Sequence, residues 1–196
     1  MHKSYLQVAE WGNIMFLYGL SSLTRRRDAY ALLQTALHQI YGLSELPELK
    51  QQERGKPYFP QYPSIHFNLS HSGPFALCGI SDQPIGVDIQ VLRPFRPTLM
   101  ERSCSDHELA WLYSRGMQHS DFALLWVLKE SIGKYTGYGL PYPPSRLSVP
   151  IPPLGQSFTM DTVYPYQNLL CRVYTEPTWC AAVCSSQTPS KEIVWI

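Results

Sequence analysis

From Phe122 to Lys134 the chain reads Phe-Ala-Leu-Leu-Trp-Val-Leu-Lys-Glu-Ser-Ile-Gly-Lys, apolar nearly all the way round at helical spacing. Such a helix has little polar face to show to water, so the rest of the chain must be arranged to cover it. It also carries Lys129, Glu130 and Lys134 into an interior or a cleft. Glu130 and Lys134 stand four apart, the spacing of an ordinary surface ion pair, but this helix has little polar surface on which to place one.

What covers it can be read from the flanking segments. Thr24 to Tyr41 predicts a helix capped by Thr24, with Leu33, Ala36, Leu37, Ile40 and Tyr41 at helical spacing and Gly42 as its stop. The apolar run Ile14 to Leu20 predicts a buried strand; it is too short to span a membrane, and it follows Glu10 and Trp11 rather than the basic flank of a signal peptide. Pro47 to Pro63 is a polar connection. Strands are expected at His66 to Asn68, Phe75 to Ile80 and Ile85 to Gln90, the last two joined by a turn through Ser81-Asp82-Gln83-Pro84. Helices return after Pro97, one from Ser105 to about Arg115 and one from Ser120 to Tyr135, ended by Gly137. Six prolines between Pro141 and Pro153 demand an extended loop. Leu169 to Tyr174, Trp179 to Ser185 and Ile193 to Ile196 read as closing strands.

The order helix, strands, helices, strands predicts an α+β fold, an α/β sandwich of two related halves with a site in the cleft between them. The halves divide at about residues 1–90 and 91–196. Phe75-Ala-Leu-Cys-Gly-Ile-Ser81 and Trp179-Cys-Ala-Ala-Val-Cys-Ser185 are alike in pattern, an aromatic followed by small apolar residues. A chain of 196 residues with 44% hydrophobic content can bury such a core, and its net charge of +1 gives no global field for nucleic acid or a membrane. The five cysteines show neither a C-x-x-C pair nor zinc spacing, so they read as reduced, buried thiols in a cytoplasmic protein.

Asp88 is out of character with its strand. In Ile85-Gly-Val-Asp-Ile-Gln90, Ile85, Val87 and Ile89 share one face and Gly86, Asp88 and Gln90 the other. A carboxylate there is costly unless hydrogen-bonded, paired or bound to metal. With Glu130 it would make a hard-oxygen site suited to magnesium and a substrate phosphate. Ser105-Asp-His-Glu108 fits a capping box, which competes with a catalytic reading of Glu108. Ser70 and His71 are adjacent on a strand and face opposite ways, so they are no nucleophile–base pair. His71 and Lys56, in Arg54-Gly-Lys-Pro57, are better suited to meeting a phosphate. There is no Walker loop, no G-x-G-x-x-G and no zincin spacing.

Gly55-Lys-Pro57, Phe67-Asn-Leu-Ser-His-Ser-Gly73, Ile85-Gly-Val-Asp-Ile89, and Trp126-Val-Leu-Lys-Glu-Ser131 followed by Lys134 and Gly137-Tyr-Gly-Leu140 together resemble the phosphopantetheinyl transferases of the surfactin-synthetase-activating type. The resemblance covers residues 24–140. It implies a pseudo-symmetric monomer that binds coenzyme A and magnesium, or manganese in its place, between its halves. It would move phosphopantetheine to a serine of an apo-carrier protein, acyl, peptidyl or polyketide, and release adenosine 3′,5′-bisphosphate. By the same resemblance Asp88 and Glu130 would ligate the metal, Lys134 would contact the phosphates with Lys129 beside them, and Lys56, Pro57, Ser70 and His71 would hold the nucleotide. Glu108 matches the carboxylate proposed as base. Two positions depart from the pattern. Gln90 stands where many members are acidic, and could ligate through its amide oxygen or a water. Tyr30 stands where the family often has arginine, and Arg25, Arg26 and Arg27 lie one turn upstream. Two other readings compete: a protein of the same fold that binds coenzyme A or a carrier without transfer, and a different magnesium-dependent phosphohydrolase.

Overall fold

The computed structural model describes residues 15–25 and 27–196. Two four-stranded sheets form the centre of the molecule. The first has the order β10-β1-β5-β4 and the second β6-β9-β8-β7. In chain order these strands are β1 (Met15–Leu20), β4 (His66–Ser72), β5 (Phe75–Ser81), β6 (Ile85–Val91), β7 (Tyr164–Tyr166), β8 (Leu169–Thr175), β9 (Trp179–Ser185) and β10 (Val194–Trp195). A separate hairpin pairs β2 (Lys50–Gln51) with β3 (Pro57–Tyr58). All pairings are antiparallel except the short parallel contact of β10 with β1.

The period-2 alternation of the strands sorts side chains into three cores. Ile85, Val87 and Ile89 of β6 meet Leu17, Leu77 and Val183 in a cluster between the sheets. On the outer side of the first sheet, Ala76, Cys78 and Ile80 pack against Leu33, Ala36 and Leu37 of α1 (Asp28–Tyr41). On the outer side of the second, Cys180, Ala182 and Cys184 pack against Phe122, Leu125 and Leu128 of α4 (His119–Thr136). The helices α2 (Pro97–Ser103) and α3 (Asp106–Ser114) complete that layer. All five cysteines are buried free thiols.

The two sheets repeat one plan. β1 is followed by α1 and then by the hairpin β4–β5, with β5 central between β1 and β4. β6 is followed by α2, α3 and α4 and then by the hairpin β8–β9, with β9 central between β6 and β8. The two alike segments, Phe75–Ser81 and Trp179–Ser185, are therefore the equivalent central strands. The second copy opens with β6, so the strand bearing Asp88 pairs in the second sheet.

Some local expectations shift. The helix expected from Thr24 begins at Asp28, because the Asp28 carboxylate accepts the amides of Thr24 (2.9 Å) and Arg25 (2.7 Å) and closes the preceding turn. Gly42 ends it in the left-handed conformation, φ 70°. β4 runs on to Ser72, well past Asn68. The 47–63 connection contains the β2–β3 hairpin, and the proline-rich loop a single 3-10 turn, Pro144–Arg146. Ile14, at the start of the first expected strand, lies outside the described residues.

Candidate active site between the two sheets

β4 and β6 are the facing edges of the two sheets, and side chains join them. Asn68 Oδ1 accepts the amide of Val87 (2.8 Å), Ser70 Oγ that of Ile89 (3.3 Å) and Ser72 Oγ that of Val91 (3.0 Å). The constant offset of 19 residues shows that the strands run the same way. Alternate residues of Asn68-Leu-Ser-His-Ser72 thus satisfy edge amides that a backbone ladder would otherwise pair. His71, on the opposite face of β4, is exposed, as expected for a neighbour of buried Ser70.

α4 lies directly on β6, and Gly86 makes this possible. A Cβ at Gly86 would stand 2.0 Å from the Ser131 carbonyl oxygen and 2.5 Å from the Tyr135 amide nitrogen. From Asp121 to Lys134 every residue of α4 is buried except Trp126, Glu130 and Lys134. Those three fall at i, i+4 and i+8, one stripe of the helix, and all three line a cleft of about 460 Å³. The seam between the sheets adds Ser70, His71, Asp88 and Gln90 to its walls, the β2–β3 hairpin adds Gln51, Gly55 and Pro57, and α1 adds Ala29 and Tyr30. That volume is in the range of small-molecule sites.

Lys134 and Asp88 form its centre. Lys134 Nζ donates to Asp88 Oδ1 at 2.6 Å and to Ser70 Oγ at 2.9 Å, and the Ser70 hydroxyl donates to the same Asp88 oxygen at 2.6 Å. Burial pushes the Asp88 carboxyl above its ordinary range, against the pull of Lys134 and Ser70. The Glu130 carboxyl is raised too, by burial first and then by the charge of Asp88. Glu130 makes no hydrogen bond or close ion pair among the described residues. Two carboxylates therefore share a single ammonium. With Gln90 on the same strand face as Asp88, these oxygens suit a hard divalent cation. Among the described residues no three His, Cys, Asp or Glu side chains gather to hold a metal alone. A cation held here would need an amide, water or substrate oxygen to complete its shell.

Three expected site residues lie elsewhere. Lys129, about 100° round the helix from Glu130, is 1% exposed and lies 2.9 Å and 2.8 Å from the two oxygens of Glu108. It also donates to the carbonyls of Pro144 and Leu147. Glu108 is fully buried. It accepts the Ser105 amide at 2.7 Å, completing the expected capping box, and the Val149 amide at 2.7 Å. This pair ties α3, α4 and the proline-rich loop together, and neither member lines the cleft. Lys56 donates to the carbonyls of Tyr135 (2.9 Å) and Ile85 (3.3 Å), and burial lowers its pKa to about 8. It fastens the hairpin to the end of α4 while its neighbours Gly55 and Pro57 face the cleft. Arg25 and Arg27 are exposed before α1, and Arg26 lies outside the described residues.

From the sequence, Trp126, Asn68 and Ser72 stand within quoted motifs but receive no role, and Gln51 is not singled out. Trp126 had a signal, its i, i+4, i+8 relation to Glu130 and Lys134. The seam had only an alternation of short polar residues, which ordinary half-buried strands also show.

The model of the 4'-phosphopantetheinyl transferase superfamily matches residues 84–184. A 4'-phosphopantetheinyl transferase, psf-1, of Bacillus pumilus is 32% identical over 171 residues, 84% of this chain and 72% of that protein. The transferase Sfp of Bacillus subtilis strain 168 is 35% identical over 161 residues, 79% and 70% of the two chains. With another Bacillus subtilis 4'-phosphopantetheinyl transferase, identity is 38% over 121 residues, 60% of this chain and 54% of its relative. Both the second repeat, which carries Asp88, Glu130 and Lys134, and most of the chain's length are covered by these matches, and the chain belongs to the 4'-phosphopantetheinyl transferase superfamily.

Proposed function

We propose that this chain transfers the phosphopantetheine arm of coenzyme A to a serine hydroxyl of an apo-carrier protein, with magnesium. The observation that supports this most strongly is the stripe of Trp126, Glu130 and Lys134 laid over Asp88 in the cleft between the sheets. Asp88 and Glu130 would hold the cation, with Gln90 offering a neutral third oxygen, and magnesium held there would supply positive charge against the pyrophosphate of coenzyme A as adenosine 3′,5′-bisphosphate leaves. Lys134 donates to a phosphate oxygen from the same side. Pro57, Ser70 and His71 line the wall where the nucleotide rests, with Tyr30 opposite on α1 and Lys56 holding the hairpin in place.

The serine proton needs an acceptor within reach. Glu130 is the carboxylate in the cleft with no hydrogen bond of its own among the described residues, which leaves its oxygen not used on the cation to receive the proton. Glu108 is sealed away with Lys129, so its part is to hold α3 and the proline-rich loop against α4. The decisive experiment mixes the protein with apo-carrier protein, coenzyme A and magnesium and weighs the intact carrier. A carrier heavier by one phosphopantetheine supports transfer. An unchanged mass across a panel of carriers, with coenzyme A still bound by the protein, favours a binding protein of this fold.

A further inference from the structure

The Lys134 ammonium already occupies one oxygen of the Asp88 carboxylate in the cleft. It is held by Asp88 Oδ1 and Ser70 Oγ, at 2.6 Å and 2.9 Å, while Glu130, one turn earlier on α4, has no close cation of its own. The partners differ in freedom. The Lys134 side chain is 27% exposed, on a four-carbon stem that opens to the cleft, whereas the Asp88 side chain is 9% exposed and fixed on β6. The ammonium has the freer side chain.

We propose that Lys134 is a resident counter-ion that leaves Asp88 when a divalent cation enters, and that the donor pyrophosphate gives the ammonium its second position. Metal and coenzyme A would then bind this chain cooperatively. The inference rests on the reading of the cleft given above. A cation entering alone must compete with the ammonium for the same carboxylate and leave a positive charge beside itself. A cation entering with a pyrophosphate meets no such conflict, because the phosphate oxygens accept the displaced ammonium. Linkage makes the effect mutual: each ligand raises the affinity for the other by the same factor.

The test is a manganese titration followed by the paramagnetic signal of the free ion, with and without coenzyme A, on the parent protein, Lys134→Met and Lys134→Gln. Circular dichroism shows that each variant is folded, and the two variants guard against the failure of either. In the absence of coenzyme A the variants should bind manganese about fivefold more tightly or better, and the factor by which coenzyme A strengthens manganese binding should shrink to match. A general effect of removing a positive charge would raise affinity equally with and without coenzyme A; an unchanged coupling factor therefore overturns the proposal. Unchanged or weaker manganese binding by the variants overturns it too. Asp88→Ala tells the two levels of the argument apart. If it abolishes manganese binding while the Lys134 variants behave like the parent, only the displacement idea fails. Parental manganese binding by Asp88→Ala removes the metal reading and this proposal with it.

Discussion

Helix α4 carries two lysine–carboxylate pairs, and their surroundings are opposite. Lys129 with Glu108 is 1% and 0% exposed; Lys134 with Asp88 is 27% and 9% exposed. In the sealed pair the charges match one to one, and backbone groups satisfy the remaining bonding capacity of both partners. In the open pair one ammonium faces two carboxylates, and both carboxylates are pushed up in pKa. Depth of burial thus points away from the chemistry here. What marks the cleft is an imbalance of charge in a place a ligand can reach, the arrangement expected where perturbed groups serve a reaction rather than a fold.

The comparison breaks most sharply at Asp88. Asp88→Ala should reduce carrier modification by two orders of magnitude or more, the scale of removing one group that stabilises a charged transition state, roughly 10²–10³. Its melting temperature without metal should hold or rise, because the lost group is a buried acid in excess of its counter-charge. Parental turnover at limiting magnesium would erase the distinction between the two pairs. At the sealed pair the expected loss is of stability. Lys129→Met leaves Glu108 charged and buried and should cost about 3–5 kcal/mol in denaturant unfolding. Glu108→Gln should also cost far more than a capping hydrogen bond, since it strands Lys129. Combining the two substitutions should recover part of the loss, with a coupling of about 0.5–3 kcal/mol. A Glu108→Gln protein of normal stability that has lost all transfer would return Glu108 to the chemistry.

Smaller effects sharpen the contrast. Gln90→Glu adds a third carboxylate to the open cluster and should lower the magnesium needed for half-maximal rate severalfold, while lowering the melting temperature without metal. An unchanged magnesium requirement would place Gln90 outside the metal's shell. The smallest effect is on pH dependence. Asp88 and Glu130 hold their protons more tightly in the folded protein than at their ordinary values of 3.8 and 4.5. Their contribution therefore favours folding below those values and is lost as pH rises through the higher folded pKa values. Without metal, stability should fall from the acid range toward neutrality on their account. Asp88→Asn should flatten that slope, and a slope of unchanged steepness would mean that other groups cause it.

Much of this was legible in the sequence where local rules act alone. The all-round apolar Phe122–Lys134 segment announced a buried helix with trapped charges, Ser105-x-x-Glu108 announced its capping box, and strand alternation put Asp88 with Gly86 and Gln90. The destination of each charge was not legible. Lys129 and Glu130 are neighbours in sequence, and only the positions of α3 and the proline-rich loop decide that one is sealed and the other faces the cleft. Lys56 lies beside cleft-lining Gly55 and Pro57, yet its ammonium is spent on the carbonyls of Tyr135 and Ile85, contacts that no local pattern encodes. The start of α1 was misplaced because two neighbouring polar side chains could close the same turn, and Asp28 rather than Thr24 does so.

The joint between the sheets has a consequence for how such a protein can change. A backbone ladder offers the same donors and acceptors whatever the side chains, so mutation adjusts it only indirectly. Here the joint is made by the side chains of Asn68, Ser70 and Ser72 against the amides of Val87, Ile89 and Val91. Each of its three rungs can be lengthened, shortened or deleted by one codon, with both sheets left intact. Two of the three positions, Asn68 and Ser70, also line the cleft, so the residues that tie the sheets together are at the same time part of the wall a substrate would meet.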